Sequence, residues 1–235
     1  MPEIIPVIIP KTFQELQEKV KLIEPYVKTA QIDVVDGIFV SNTTWPFDSS
    51  RNSGLAQGKP SVKDLDTLET NLELEAHLMI ESPHRVLNEW LASRVKRIIL
   101  HWEAIDKISK DQFSISDLIQ ETHKHNKEFG VALNLETPVS VLDNFVNDID
   151  RALIMSVKTG WGGQEFDESA TAKIIALRQK YPDVKIEVDG GVNQQNILKL
   201  ARAGVDFLVM GSAIFGSENP AEAIKELNKL LPEYR

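Results

Sequence analysis

No cysteine occurs among the 235 residues of this chain. Disulfide staples and thiolate chemistry are therefore excluded, and the redox compartment stays open. Basic residues are outnumbered: 26 Lys and Arg stand against 35 Asp and Glu, a net charge of −9. A surface of that sign argues against nucleic acid or an anionic membrane as partner, while leaving room for one local anion pocket. No apolar run approaches the roughly 20 residues of a membrane span. Residues 4–9 are too short for a signal peptide, are interrupted by Pro6 and have no basic residues ahead of them. The expectation is a soluble, cytoplasmic protein. A Gly-x-Gly-x-x-Gly fingerprint is also missing after residues 4–9, which removes the usual dinucleotide-binding reading.

What is present is a regular alternation. Hydrophobic residues make up 42% of the chain, enough for a substantial core. Strand-like runs fall at 4–9, 30–34, 74–80, 95–101, 130–134, 152–157, 186–188 and 207–210. Several are apolar throughout, as parallel strands buried on both faces should be. Helical spacing fills the gaps. Thr12 with Glu15 predicts a capped helix that turns Phe13, Leu16, Val20 and Ile23 inward. Further helices are predicted over 61–68, 83–91, 114–126, 139–145, 170–180, 194–203 and 221–231. No linker or low-complexity tract interrupts them. The pattern predicts a single (β/α)8 barrel domain over 1–235 rather than an open doubly wound sheet. Residues 38–58 form a long irregular stretch, and loops of that length in compact domains are usually functional or mobile.

The stretch 186–215 organises the chemistry. Its first strand stops at Asp189-Gly190-Gly191, and its second stops at Gly211-Ser212. Uncrowded backbone amides there can wrap an anion, with a short helix beginning at Ser212 aimed at the same point. In a (β/α)8 barrel the loops after strands 7 and 8 are the usual phosphate site. Strand ends also bring Gln31, Asp33, His77, His101, Asn134 and Asp189 to one mouth. Gln31 and Asp33 share a strand face, being two residues apart. Two Asp, one His and an amide oxygen could bind a divalent cation. Asp33 and Asp189 could equally stand on opposite sides of a substrate, one removing a proton beside a carbonyl and the other returning one. Each residue also has a structural reading: a turn-capping Asp, a hydrogen-bonded core His. Met79 and Met155 near the mouth read as packing.

Six motifs carry a resemblance: IDVVDGIFVSNTT at 32–44, AHLMIESP at 76–83, GVALNLETP at 130–138, GWGGQEF at 160–166, EVDGGVN at 187–193 and GSAIF at 211–215. In this order they resemble the ribulose-phosphate 3-epimerase family across almost the whole chain. The resemblance implies a (β/α)8 barrel that interconverts ribulose 5-phosphate and xylulose 5-phosphate at C3. It implies Asp33 and Asp189 as the catalytic acid/bases. Both would also be ligands, with His77, of a divalent metal ion such as zinc, iron, manganese or magnesium. His77 and Asn134 would face substrate, and Gly162, Gly163, Gly190, Gly191, Gly211 and Ser212 would hold the phosphate of a small phosphorylated ketose. A homo-oligomer is implied as well. The sequence departs from the family at Gln31, where a metal-binding histidine is expected, at Pro10 for a substrate-contacting serine, at Val35 for a methionine, and at Lys158-Thr159 for Asn-Pro. Gln31 would be a weak ligand, since an amide oxygen donates less than imidazole. Two functions follow: a divergent sugar-phosphate 3-epimerase, or an impaired relative that binds a phosphorylated ligand as sensor or scaffold.

Overall fold

The computed structural model describes residues 2–47, 61–108 and 113–231. Eight parallel strands close into a barrel in chain order. They are β1 (Glu3–Ile8), β2 (Thr29–Val35), β3 (Glu73–Met79), β4 (Arg97–His101), β5 (Glu128–Leu133), β6 (Arg151–Met155), β7 (Ile186–Asp189) and β8 (Phe207–Met210). β1 seals the ring, pairing Ile4 with Leu208 on one side and Ile8 with Ile32 on the other. The α-helices are α1 (Phe13–Ile23), α2 (Leu87–Ala92), α3 (Trp102–Ile105), α4 (Ile115–Lys124), α5 (Ser169–Lys180), α6 (Ile197–Ala203), α7 (Ser212–Phe215) and α8 (Pro220–Leu230). No helix among the described residues is long and apolar enough to cross a membrane.

Strand alternation explains the two cores. Residues such as Ile32, Leu78, Leu100 and Ile154 point outward and pack under the helices with Phe13, Trp90 and Ile174. Their immediate neighbours along each strand point inward. Ile99, Leu153 and Met155 meet on one side of the barrel interior, and Ile5, Val7 and Val209 on the other. The lower interior is ionic. Arg151 bonds Glu187 at 2.6 Å and Glu75 at 3.1 Å, Arg97 pairs with Glu75 and Glu128, and the Arg151 guanidinium lies 3.5 Å from the Phe207 ring centroid. All four of Glu75, Arg97, Arg151 and Glu187 are buried. Among the described residues these paired side chains fill that end of the barrel interior.

α1 is capped as its sequence predicts, with a difference. Thr12 Oγ1 accepts from the Glu15 amide at 3.1 Å, but the Glu15 carboxylate reaches past the cap to the Lys11 amide at 2.7 Å. Phe13, Leu16, Val20 and Ile23 are its buried face. Three predicted helices are shorter and tighter. Val62–Thr67, Pro83–Arg85 and Val139–Leu142 are 3-10 turns, and α2 begins only at Leu87. Pro138 enters the last of these in extended conformation, and Val139 and Val141 are stiff β-branched residues that favour a helix weakly. α3 had no sequence signal; it is one turn leaving β4 directly, and its Trp102 stacks on Phe145 at 5.5 Å. In the long stretch after β2, Trp45 is fully buried between Phe13 and Trp90 and anchors the chain. Residues 48–60 of that stretch lie outside the described residues.

Candidate active site

Two features of the barrel assemble the site. Alternation turns Gln31 and Asp33 of β2 inward, and the β2–β3 register sets Asp33 directly beside His77. Asp189 ends β7 on the far side and closes the group. Gln31 Nε2 donates to Asp33 Oδ1 at 2.8 Å and to Asp189 Oδ2 at 2.7 Å, and lies 3.4 Å from His77 Nδ1. His77 Nδ1 is 3.2 Å from Asp33 Oδ1 and 3.5 Å from Asp189 Oδ2. Gln31 and His77 have no exposed surface, whereas Asp33 and Asp189 keep a small solvent-facing edge.

That edge opens into a cavity of about 250 Å³. Asp33 and Asp189 form part of its wall, and Gly162, Gly163, Gly190, Gly191, Gly211 and Ser212 form another part. The loops after β6, β7 and β8 thus converge on one pocket, with both carboxylates at its floor. Gly190 and Gly191 take positive φ angles of +121° and +62°, and a Cβ on Gly191 would fall 2.4 Å from the Phe166 amide nitrogen. Only glycine lets this turn pass so close to the β6 loop.

His77 continues into a second chain of contacts. Its Nε2 lies 2.9 Å from Nε2 of His101, whose Nδ1 lies 3.2 Å from Glu103 Oε2. Glu103 also accepts from the Asn134 amide at 2.9 Å and from the Thr137 hydroxyl. Burial opposes charge on His77, but the hydrogen bonds and charges of Asp189 and Asp33 outweigh it and hold its pKa at about 10. Burial drives His101 down to about 4, with the nearby His77 adding to the effect against the pull of Glu103. Asp189 is raised, first by burial and then by the charge of Asp33. The chain of rings is therefore a charged His77 bonded to a neutral His101.

A family model described as the ribulose-phosphate 3 epimerase family matches residues 3–215. The chain is 34% identical to the chloroplastic ribulose-5-phosphate-3-epimerase of Arabidopsis thaliana, covering 94% of this chain and 74% of that one. It is 32% identical to the ribulose-phosphate 3-epimerase of Bacillus subtilis, covering 97% and 98%.

The chain belongs to the ribulose-phosphate 3-epimerase family.

Solved structures give the same architecture at lower identity. The 3-hexulose-6-phosphate synthase of Salmonella typhimurium superposes with a TM-score of 0.66 at 14% identity, over 97% of this chain and 98% of that one. The orotidine 5'-phosphate decarboxylase of Pyrococcus horikoshii OT3 gives 0.63 at 17%, over 97% and 98%. These likenesses concern the fold.

The epimerase family is metal-dependent, and the donor set of this chain fits a divalent cation. Asp33, His77 and Asp189 each offer a ligand atom, all within 4.8 Å of one another, the His77 nitrogen once its Nδ1 proton is displaced by the incoming cation's charge. Gln31 bears on the fit in an unexpected way. The sequence suggests its amide oxygen as a fourth, weak ligand, but its nitrogen faces the carboxylates and its Oε1 is buried without a partner. Half a turn of the amide would be needed to bring that oxygen into the group.

Other expectations are redistributed. Asn134 is not on the cavity wall; its Oδ1 accepts from the Thr159 hydroxyl at 2.5 Å and its backbone N–H donates to Glu103. Pro10 is not on the wall either. β1 and the residue after it present Val7 and Ile9 to the cavity, while the Pro10 carbonyl accepts from Trp45 at 2.8 Å. No hydroxyl is offered from that side. Met79 and Met155, read from the sequence as packing, both reach the cavity wall. Two residues were missed. Lys19 of α1 is the one cation on the described wall, held by Glu15 at 2.8 Å with its ammonium 5.3 Å from the Phe215 ring centroid. In sequence it reads as one more lysine on a solvated helix face. Glu103 had a weak signal, an acid two residues after a strand-end histidine.

Proposed function

We propose that this chain epimerises C3 of a small ketose phosphate of the ribulose 5-phosphate and xylulose 5-phosphate type. The observation that carries the reading is the shared cavity: two carboxylates at its floor and three glycine-bearing loops on its wall. The loop amides hold the phosphate, with Lys19 adding a positive charge from the same cavity wall. The sugar then extends across the floor between Asp33 and Asp189. One carboxylate removes the C3 proton, which the adjacent carbonyl acidifies, and the other delivers a proton to the opposite face of the planar enediolate. Met79 and Met155 supply apolar wall that keeps water from the reacting carbon. Asp33, His77 and Asp189 would hold the cation, which when bound supplies Lewis-acid polarisation of the ketose oxygens.

The raised pKa of Asp189 suits the residue that must carry a proton part of the time. The test is wash-in of deuterium at C3 from heavy water, which needs only half of the reaction. Asp33→Asn and Asp189→Asn should each lower turnover by about 10²–10⁴-fold. An Asp33→Asn chain that exchanges C3 at the parental rate removes Asp33 from the mechanism. A parent that binds ketose phosphate but never exchanges C3 supports the second reading, a ligand-binding relative without turnover; the hydrogen-bonded Gln31 amide between the carboxylates favours it.

A further inference from the structure

The Gln31 amide nitrogen touches the same three side chains that a cation would need. It donates to Asp33 Oδ1 and Asp189 Oδ2 and approaches His77 Nδ1. Its two hydrogens account for both strong contacts, because a primary amide nitrogen carries two donors and no acceptor. The opposite end of the amide, Oε1, is buried and unpartnered. Electrostatics explains the orientation. An amide oxygen set 2.7–2.8 Å from two carboxylate oxygens would face two negative groups in a water-poor interior, and the orphaned oxygen is the lesser penalty.

We infer that Gln31 is the resident occupant of the cation position: its amide bridges Asp33 and Asp189 when no cation is bound, and cation binding and the two amide hydrogen bonds exclude one another. A cation at the three ligands would meet the amide hydrogens, so it enters only after those bonds break. The amide must also turn through half a revolution before its oxygen can join the ligands. The chain is thereby set to keep its two carboxylates close together without metal and to take up metal reluctantly. This inference rests on the reading of Asp33, His77 and Asp189 as a cation site, and it is independent of which sugar is bound.

The test compares metal-stripped parent with Gln31→Leu, which keeps bulk but removes donors and acceptor alike. Manganese and zinc affinities are measured by calorimetry, and melting temperatures are measured with and without each cation. Loss of the two charge-assisted bonds should lower the melting temperature of the stripped variant. It should also tighten cation binding by about tenfold or more, because nothing need be displaced. Weaker binding by Gln31→Leu than by the parent would overturn the inference, since Gln31 would then be acting as a ligand. Gln31→Ala serves the same comparison if the leucine chain does not fold. In parent labelled with ¹⁵N-glutamine, one side-chain NH₂ signal, absent from the variant, should exchange slowly with water and lose that protection on zinc addition. Protection unchanged by saturating zinc would also overturn it. If no cation binds to either chain, the cation reading and the exclusion fall together, while the deuterium test of Asp33 and Asp189 stands unaffected.

Discussion

His77 and His101 meet through their Nε2 atoms at 2.9 Å with rings nearly parallel, so one ring donates and the other accepts. Glu103 decides which. Its carboxylate accepts a hydrogen bond from the Nδ1–H of His101, leaving the His101 Nε2 lone pair to accept from His77. The Nδ1 of His77 is then the atom turned towards Asp33 and Asp189. A neutral His101 fits this arrangement, and so does the depression of Glu103 to about 2 by His101 and Thr137 against the effect of burial.

Glu103→Gln should therefore lower activity and cation affinity by about 10–100-fold, since the amide can present its NH₂ to His101 and reverse the ring's tautomer. Glu103→Asp, which keeps the charge, should recover part of the loss. Imidazole ¹⁵N shifts would report the tautomers directly. An unchanged His101 tautomer in Glu103→Gln would show that Glu103 only supports the loop through Asn134 and Thr137.

The glycine loops predict a split between folding and binding. At Gly162 and Gly211 an added Cβ would press first on side chains, Ile9 Cδ1 at 2.9 Å and Val7 Cγ1 at 3.1 Å, with the Val7 carbonyl oxygen at an ordinary 3.8 Å from the second. Gly162→Leu and Gly211→Leu should keep a near-parental melting temperature and lose stabilisation by inorganic phosphate. Gly191→Ala should lose both, because its Cβ runs into the Phe166 backbone. Retention of phosphate stabilisation by Gly211→Leu would move the anion site elsewhere.

Lys19 should act on binding rather than chemistry. Removing one charge-assisted contact, Lys19→Met should raise KM for a ketose phosphate about tenfold with kcat little changed. Lys19→Arg should retain most of the affinity. A fall in kcat with constant KM would place Lys19 outside the phosphate contacts. The effect should shrink with added salt, because the ammonium is partly exposed.

The ionic plug predicts a pH dependence of stability. Burial first, and then the charge of Glu75, raise the pKa of Glu187, and both carboxylates keep one buried oxygen without a partner. A proton on Glu187 removes the repulsion and gives Glu187 a hydrogen to donate to Glu75. The folded state thus holds a proton that the unfolded chain releases in the ordinary glutamate range, near about 4.3. This contribution is fully present below that range and is lost as pH rises through the raised value. Melting temperature should decline from weakly acidic to neutral pH, and Glu187→Gln should flatten the decline. A Glu187→Gln profile parallel to the parent's would assign the slope to other groups.

The sequence by itself determined the barrel and the parts of its mouth. Apolar runs such as those around Ile99 and Ile154 alternate with helical spacing, and burial on both strand faces leaves few other architectures for that pattern. The glycine pairs after β7 and β8 were legible because a loop that must pass close to other backbone needs residues without side chains. Asp33, His77 and Asp189 were legible because strand ends in a barrel point to one place. What only the tertiary structure decided was orientation across the barrel. Whether Gln31 offers its oxygen or its nitrogen depends on two carboxylates from strands far apart in sequence, and the three side chains meet only once the ring closes. Lys19, Glu103 and the Glu75–Glu187 pair share that limit. Local pattern states which face of an element a residue occupies; which charge stands opposite it is set by register and closure, through contacts between residues dozens of positions apart.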